Sequence, residues 1–194
     1  MTWLAAGLGN PGDRYAKTRH NLGYRVVDEL AARSGERFKK VRFVPADTCE
    51  IEEAGEHVLL AKAHGFMNET GPAFASLARK HHVEPDHVIA VHDDIDLELG
   101  ALRVKFGGST AGHNGLRSVG GALRTPDFSR VRLGVGRPPG RTAAADWVLK
   151  AFAKREEPDV ELLVDIGADA VLSLVRDGLE VTQGLFNRSG PREP

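Results

Sequence analysis

Two short apolar runs constrain this chain most. Leu4-Ala5-Ala6-Gly7-Leu8 closes on a turn, and Val88-Ile89-Ala90-Val91 closes on His92-Asp93-Asp94. Each reads as a strand buried on both faces, the habit of a parallel sheet covered by helices. Leu22, Val26, Val27, Leu30 and Ala31 recur at helical spacing, and Gly35 ends that helix. Phe74, Leu77, Ala78 and His81 share the face of a second helix, with Asn68 as its N-cap and Pro72 in its first turn. Residues 41–53 are expected to be extended, and residues 57–63 to form another strand. Leu102, Val104 and Phe106 alternate with Arg103 and Lys105, and Val131, Leu133 and Val135 alternate with Arg130 and Arg132. That pattern predicts two strands with a basic outer face. The glycine-rich loop 107–112 lies between them, followed by a short helix after His113-Asn114. Val160, Val164, Gly167, Val171 and Leu174 mark a C-terminal helix that Asp177-Gly178 stops. Strands alternating with helices predict an α/β fold: a twisted, mostly parallel mixed sheet with helices on both faces. Residues 1–188 are expected to form a single domain and residues 189–194 a disordered tail.

A chain of 194 residues with 41% hydrophobic content can bury a core without disulfides or metal. The single cysteine, Cys49, rules out an intrachain disulfide and reads as a small hydrophobe in a strand. No basic leader and no apolar run of spanning length is visible, so a cytoplasmic location away from any membrane is expected. The net charge of −1 says little about partners, but its distribution says more. Between residues 101 and 142, Arg103, Lys105, Arg117, Arg124, Arg130, Arg132, Arg137 and Arg141 face one acid, Asp127. Such a local excess of cations suits a polyanionic partner, unless acids elsewhere in the fold offset it.

In open α/β sheets the site lies beyond the carboxyl ends of the strands, and Asn10, Asn68 and Asp93 all fall there. Gly7-Leu8-Gly9-Asn10-Pro11-Gly12 fits a dinucleotide-binding spacing, yet no helix opens at once behind it. Its glycines are expected to serve a tight loop that carries Asn10. His92-Asp93-Asp94-Ile95-Asp96 could hold a divalent metal, or could be loop residues facing water. No second cluster has metal-ligand spacing, so no metal and no cofactor is expected. His20 and Asp93 are the parts of a general-base pair, in which a carboxylate fixes the imidazole tautomer. No serine or cysteine sits in a nucleophile motif, which leaves water as the attacking species. Asn10, Asn68 and Asn114 offer amides that can bind a peptide backbone or donate to an oxyanion.

Four motifs then converge on one family. Gly7 to Gly12 with Tyr15 and Thr18-Arg19-His20-Asn21-Leu22-Gly23, Phe66-Met67-Asn68-Glu69-Thr70-Gly71, His92 to Asp96 with Gly100, and Gly112-His113-Asn114-Gly115-Leu116-Arg117-Ser118 stand in the order of the bacterial-type peptidyl-tRNA hydrolases. The resemblance implies hydrolysis of the ester that joins a peptide to the 3′ ribose of tRNA. It implies that His20 activates water, that Asp93 holds its basic form, and that Asn10 helps separate blocked from free aminoacyl groups. By the same match, Tyr15, Phe66, Asn68 and Asn114 line the site for the tRNA end and peptide, with Met67 packed beneath. Lys105 and Arg132 match the clamp on the tRNA 5′ phosphate, with Arg130 a rival for the second position. The implied partner is peptidyl-tRNA, through its acceptor stem and 3′ end. No obligate protein partner is expected, and the mild composition suggests a monomer. Two positions depart from the family pattern: Gly65 stands where threonine is expected, and Tyr24 follows Gly23 where phenylalanine is more usual.

Overall fold

The computed structural model describes residues 1–187 and is built on a seven-stranded sheet in the order β2-β3-β4-β1-β5-β7-β6. The strands are β1 (Thr2–Gly7), β2 (Lys39–Lys40), β3 (Ala46–Glu53), β4 (Glu56–Ala63), β5 (Val88–Asp94), β6 (Leu102–Phe106) and β7 (Ser129–Gly134). The central β4, β1, β5 and β7 run parallel, while β2, β3 and β6 are antiparallel to their neighbours. The expected mostly parallel mixed sheet is therefore what the chain forms. The expected tail, 189–194, lies outside the described residues.

Helices cover both faces, as the near-continuous apolar strands require. On one face α1 (Leu22–Arg33) and α5 (Glu157–Phe186) pack Val26, Leu30, Leu163 and Leu174 against Ala5, Leu60, Ile89 and Leu133. On the other, α2 (Gly71–Lys80) and α3 (Asn114–Leu123) pack Phe74, Leu77, Leu116 and Val119 against Leu4, Ala6, Leu59 and Ala90. Among the described residues no helix is long and apolar enough to cross a membrane.

Four local expectations are revised. Residues 41–53 are not one extended segment, because a turn around Phe43, at φ 64°, separates β2 from β3. Asn68 is not an N-cap: it sits in a 3-10 turn, Met67–Glu69, and α2 begins after Thr70 with no side-chain cap. The strand read as residues 88–91 runs on to Asp94, so His92, Asp93 and Asp94 are buried strand residues and not loop residues facing water. Gly178, at φ 79°, does break α5, but helix resumes to Phe186. The resumed segment delivers Asn187, whose amide accepts from Val104 N at 2.7 Å and donates to Val104 O at 2.9 Å. Those bonds occupy ladder groups of the edge strand β6, which would otherwise be open to another chain.

Candidate active site

The carboxyl ends of β1, β4, β5 and β7 open on the same side of the sheet, and the loops beyond them enclose a cavity of about 570 Å³. Asn10, Tyr15, His20, Phe66, Met67, Asn68, Asp93 and Asn114 all line it. Lys105 and Arg132 do not; they sit on β6 and β7 beside it.

Asp93 is the hub. It projects from the end of β5 and is 1% exposed. His20 Nδ1 lies 2.8 Å from its Oδ1, and His113 Nε2 lies 3.0 Å from the same oxygen. Both imidazoles must donate there. His113 Nδ1 already accepts from the backbone N–H groups of Gly115 and Leu116, at 3.1 and 3.3 Å, as the N-cap of α3. The proton of neutral His113 is therefore on Nε2, facing Asp93. His20 Nδ1–H pointing at the carboxylate leaves its Nε2 as the basic nitrogen. Burial alone would raise the Asp93 carboxyl, but the His20 and His113 imidazoles outweigh it and hold it well below the usual carboxylate range.

His20 occupies a buried 3-10 turn, Arg19–Asn21. Its neighbours fix that turn. Arg19 donates to the carbonyls of Lys150 and Ala151, pairs with Glu156, and is flanked by the rings of Trp147 and Phe152. This ties down the segment bearing α4 (Ala144–Val148), and Ala144, Ala145, Val148 and Leu149 form an apolar wall of the cavity. Asn21 exchanges two hydrogen bonds of 2.9 Å with the backbone of Asn10. Asn10 Oδ1 in turn accepts from Met67 N at 2.8 Å, which leaves its amide nitrogen as the remaining donor at the cavity.

The carboxylates of the other metal reading do not converge. Asp94 takes Arg132 Nε at 2.8 Å, and Asp96 pairs with Arg137. His20, Asp93 and His113 are close enough to surround a cation. However, a metal at His113 Nε2 would displace a proton that the two capping amides confine to that nitrogen.

The glycines of residues 7–12 serve more than a loop. A Cβ on Gly7 would strike the Gly23 backbone, and one on Gly9 would strike the Tyr24 ring. Only Gly12, at φ 95°, answers to turn geometry. Arg130 is also corrected. It is 2% exposed, with its guanidinium on the carbonyls of Gly108, Ser109 and Pro126, so it is no part of an exposed basic face.

A family model described as peptidyl-tRNA hydrolase matches residues 4–193. The chain belongs to the peptidyl-tRNA hydrolase family. It is 53% identical over 187 residues to the peptidyl-tRNA hydrolase of Mycobacteroides abscessus, covering 96% of this chain and 95% of that one. It is 50% identical over 180 residues to that of Nocardia farcinica, covering 93% of each. The crystal structure of the Acinetobacter baumannii peptidyl-tRNA hydrolase superposes with a TM-score of 0.90 at 29% identity, covering 98% of this chain and 96% of that one.

Both departures from the peptidyl-tRNA hydrolase pattern are accommodated. The Tyr24 hydroxyl donates to Ala63 O at the end of β4. Burial, then the charges of Asp47 and Asp28, push its pKa further up and keep it a protonated donor. At Gly65 a Cβ would meet nothing closer than 3.4 Å, so packing does not require glycine there.

Sequence reasoning gives no role to His113, and to His92 only a place in the metal reading set aside above. His92 Nδ1 donates to Asp93 O at 2.7 Å, its buried Nε2 has no partner, and its ring stands edge-on to His113 at 4.8 Å. Burial first, then His113, pushes its pKa down to about 3. The unfolded chain takes up this proton below about pH 6.5 while the native chain does not, so stability falls as pH falls, by about 1.4 kcal/mol per pH unit. This loss spans the window from about pH 6.5 down to about 3. His92→Asn, which keeps a donor for Asp93 O, is expected to flatten the slope of unfolding free energy between about pH 6 and 4. Parallel slopes for the two proteins in denaturant titrations would refute this assignment.

Proposed function

We propose that this chain hydrolyses the ester between a peptide, or an N-blocked amino acid, and the 3′ ribose of tRNA, recycling prematurely released peptidyl-tRNA. The carrying observation is the pair of imidazoles on one Asp93 oxygen, at the floor of a cavity that three asparagines line. In this reading His20 Nε2 removes a proton from water as the water oxygen attacks the ester carbonyl. Asp93 stabilises the imidazolium that forms. The tetrahedral intermediate collapses by expelling the 3′ oxygen of the ribose, which takes the proton back from His20. Asn10, Asn68 and Asn114 supply amides for the peptide backbone and the developing oxyanion. The Asn10 amide nitrogen is suited to sense an acylated nitrogen next to the ester. Tyr15 and Phe66, edge to face at 6.2 Å, offer rings to the terminal nucleotide, with Met67 beneath.

The tRNA body would lie over β6 and β7. Lys105 is exposed on β6 and stands diagonal to Arg132 on β7. Two cations so placed suit a polyanion. We assign the 5′ phosphate to Lys105 and Arg132, the latter oriented by Asp94. We take the enzyme to be a cytoplasmic monomer without an obligate protein partner, in keeping with its single buried thiol.

The test is release of N-acetyl-amino acid from N-acetyl-aminoacyl-tRNA, with and without chelator, for wild type and His20→Ala. Wild type is expected to turn over in chelator. His20→Ala is expected to lose at least about 10²-fold in kcat while still binding tRNA. An inert wild type, or one that works only with added metal, would overturn the reading.

A further inference from the structure

The loop at residues 107–113 carries His113 and Asn114 to the site, yet its own conformation is unfavourable. Gly107, Gly108 and Gly112 have φ of 62°, 89° and 82°, and Ala111 is left-handed at 46° although it has a Cβ. A loop of this kind, rich in glycine, is entropically costly to hold in one shape. The side chain set against it is Arg130, from the middle of β7. Its Nη1 donates to Ser109 O at 2.7 Å, and its Nη2 donates to Gly108 O at 2.8 Å and to Pro126 O at 3.4 Å. The guanidinium lies 4.9 Å from the Phe128 ring, and its Nε is buried without a partner. Among the described residues no carboxylate pairs with it. Burial, then the like charge of Arg132, opposes its ionisation. A buried cation aimed at backbone carbonyls is a poor device for stability alone, but its planar fork can fix two successive carbonyls at once.

We propose that Arg130 is a positioning residue for this site: its buried guanidinium clamps the carbonyls of Gly108 and Ser109 and so holds the glycine-rich loop in the shape that brings His113 to Asp93 and Asn114 to the cavity. The catalytic arm of this inference rests on the ester hydrolase reading above; the loop arm does not. Three links connect Arg130 to the reacting groups. The clamp fixes residues 108 and 109, the left-handed residues 111 and 112 turn the chain, and His113 then caps α3 with Nδ1 while presenting Nε2–H to Asp93. A lysine at position 130 would keep the charge and lose the fork.

The experiment compares wild type, Arg130→Lys and Arg130→Met in two measurements: kcat and KM on N-acetyl-aminoacyl-tRNA, and amide hydrogen exchange of residues 107–113 against β5 and β7. Arg130→Lys guards against a methionine variant too unstable to assay. Both variants are expected to exchange the loop amides about tenfold faster, with the strands still protected. Both are expected to lose about 10- to 100-fold in kcat, with KM within a few-fold of wild type. Unchanged loop exchange in a folded variant overturns the proposal, whatever happens to activity. A raised KM with a flattened salt dependence and an unchanged kcat also overturns it, and would make Arg130 an RNA contact. Should wild type itself fail to cleave the ester, the functional reading falls, and loop exchange alone decides on the clamp.

Discussion

Asp93→Asn is expected to lower kcat by about 10²- to 10⁴-fold while KM for the tRNA ester moves little. The size follows from the number of groups that one oxygen organises. Asp93 Oδ1 accepts from His20 Nδ1 and His113 Nε2 together. An asparagine could still accept from both through its carbonyl oxygen, so the loops need not move. It could not stabilise an imidazolium on His20, which is the charge the proposed reaction creates. Rotated about its amide, it would present N–H to His20 and force the proton onto Nε2, removing the base. Because the two imidazoles hold the Asp93 carboxyl well below its usual range, wild type should lose no activity to Asp93 protonation where carboxylates ordinarily titrate. The checking measurement is steady-state turnover of N-acetyl-aminoacyl-tRNA across pH. A variant within about threefold of wild type at its optimum would remove Asp93 from the chemistry.

The same residues show how far the sequence could be read. Asn10, Asn68 and Asp93 were placed at one end of the sheet by strand order alone, and the cavity joins them. His113 was not legible, because a histidine just before a helix looks like any turn residue. Its capping bonds and its bond to Asp93 depend on how α3 meets β5, a long-range relation. His92 is hidden because the apolar run ends at Val91, while the buried strand continues to Asp94. Arg130 and Arg132 share one face of β7, and periodicity cannot separate them. The loop 107–112 folds over one and leaves the other half-exposed beside Asp94. The apolar wall at Ala144, Ala145 and Val148 carried no motif, only a short helix of small residues that the Arg19 contacts press against the site.

Gly23→Ala is expected to cost about 3 kcal/mol of stability. Gly23 is the second residue of α1, set where that helix crosses the ends of β1 and β5. A Cβ there would sit 2.1 Å from Val91 O, 2.4 Å from Leu8 N and 2.6 Å from Leu8 O. All three are backbone atoms, and Leu8 N donates to Val91 O at 2.9 Å, so no side chain can swing aside. The helix must withdraw or the two strand ends must part. Either movement reaches the proposed catalytic pair, because His20 lies three residues before Gly23 and Asp93 two residues after Val91. At the size of this chain the loss corresponds to a fall in Tm of about 6–12 °C. The folded fraction should also turn over more slowly, as the His20–Asp93 contact stretches. Gly121→Ala is the control: it adds the same methyl inside α3, where nothing lies within 4 Å of the new Cβ. Helix propensity alone should make that change neutral or stabilising by up to about 1 kcal/mol. Thermal unfolding of the two variants beside wild type decides the matter, since matching Tm values would mean that the crossing of α1 over β1 and β5 is loose enough to admit a methyl group.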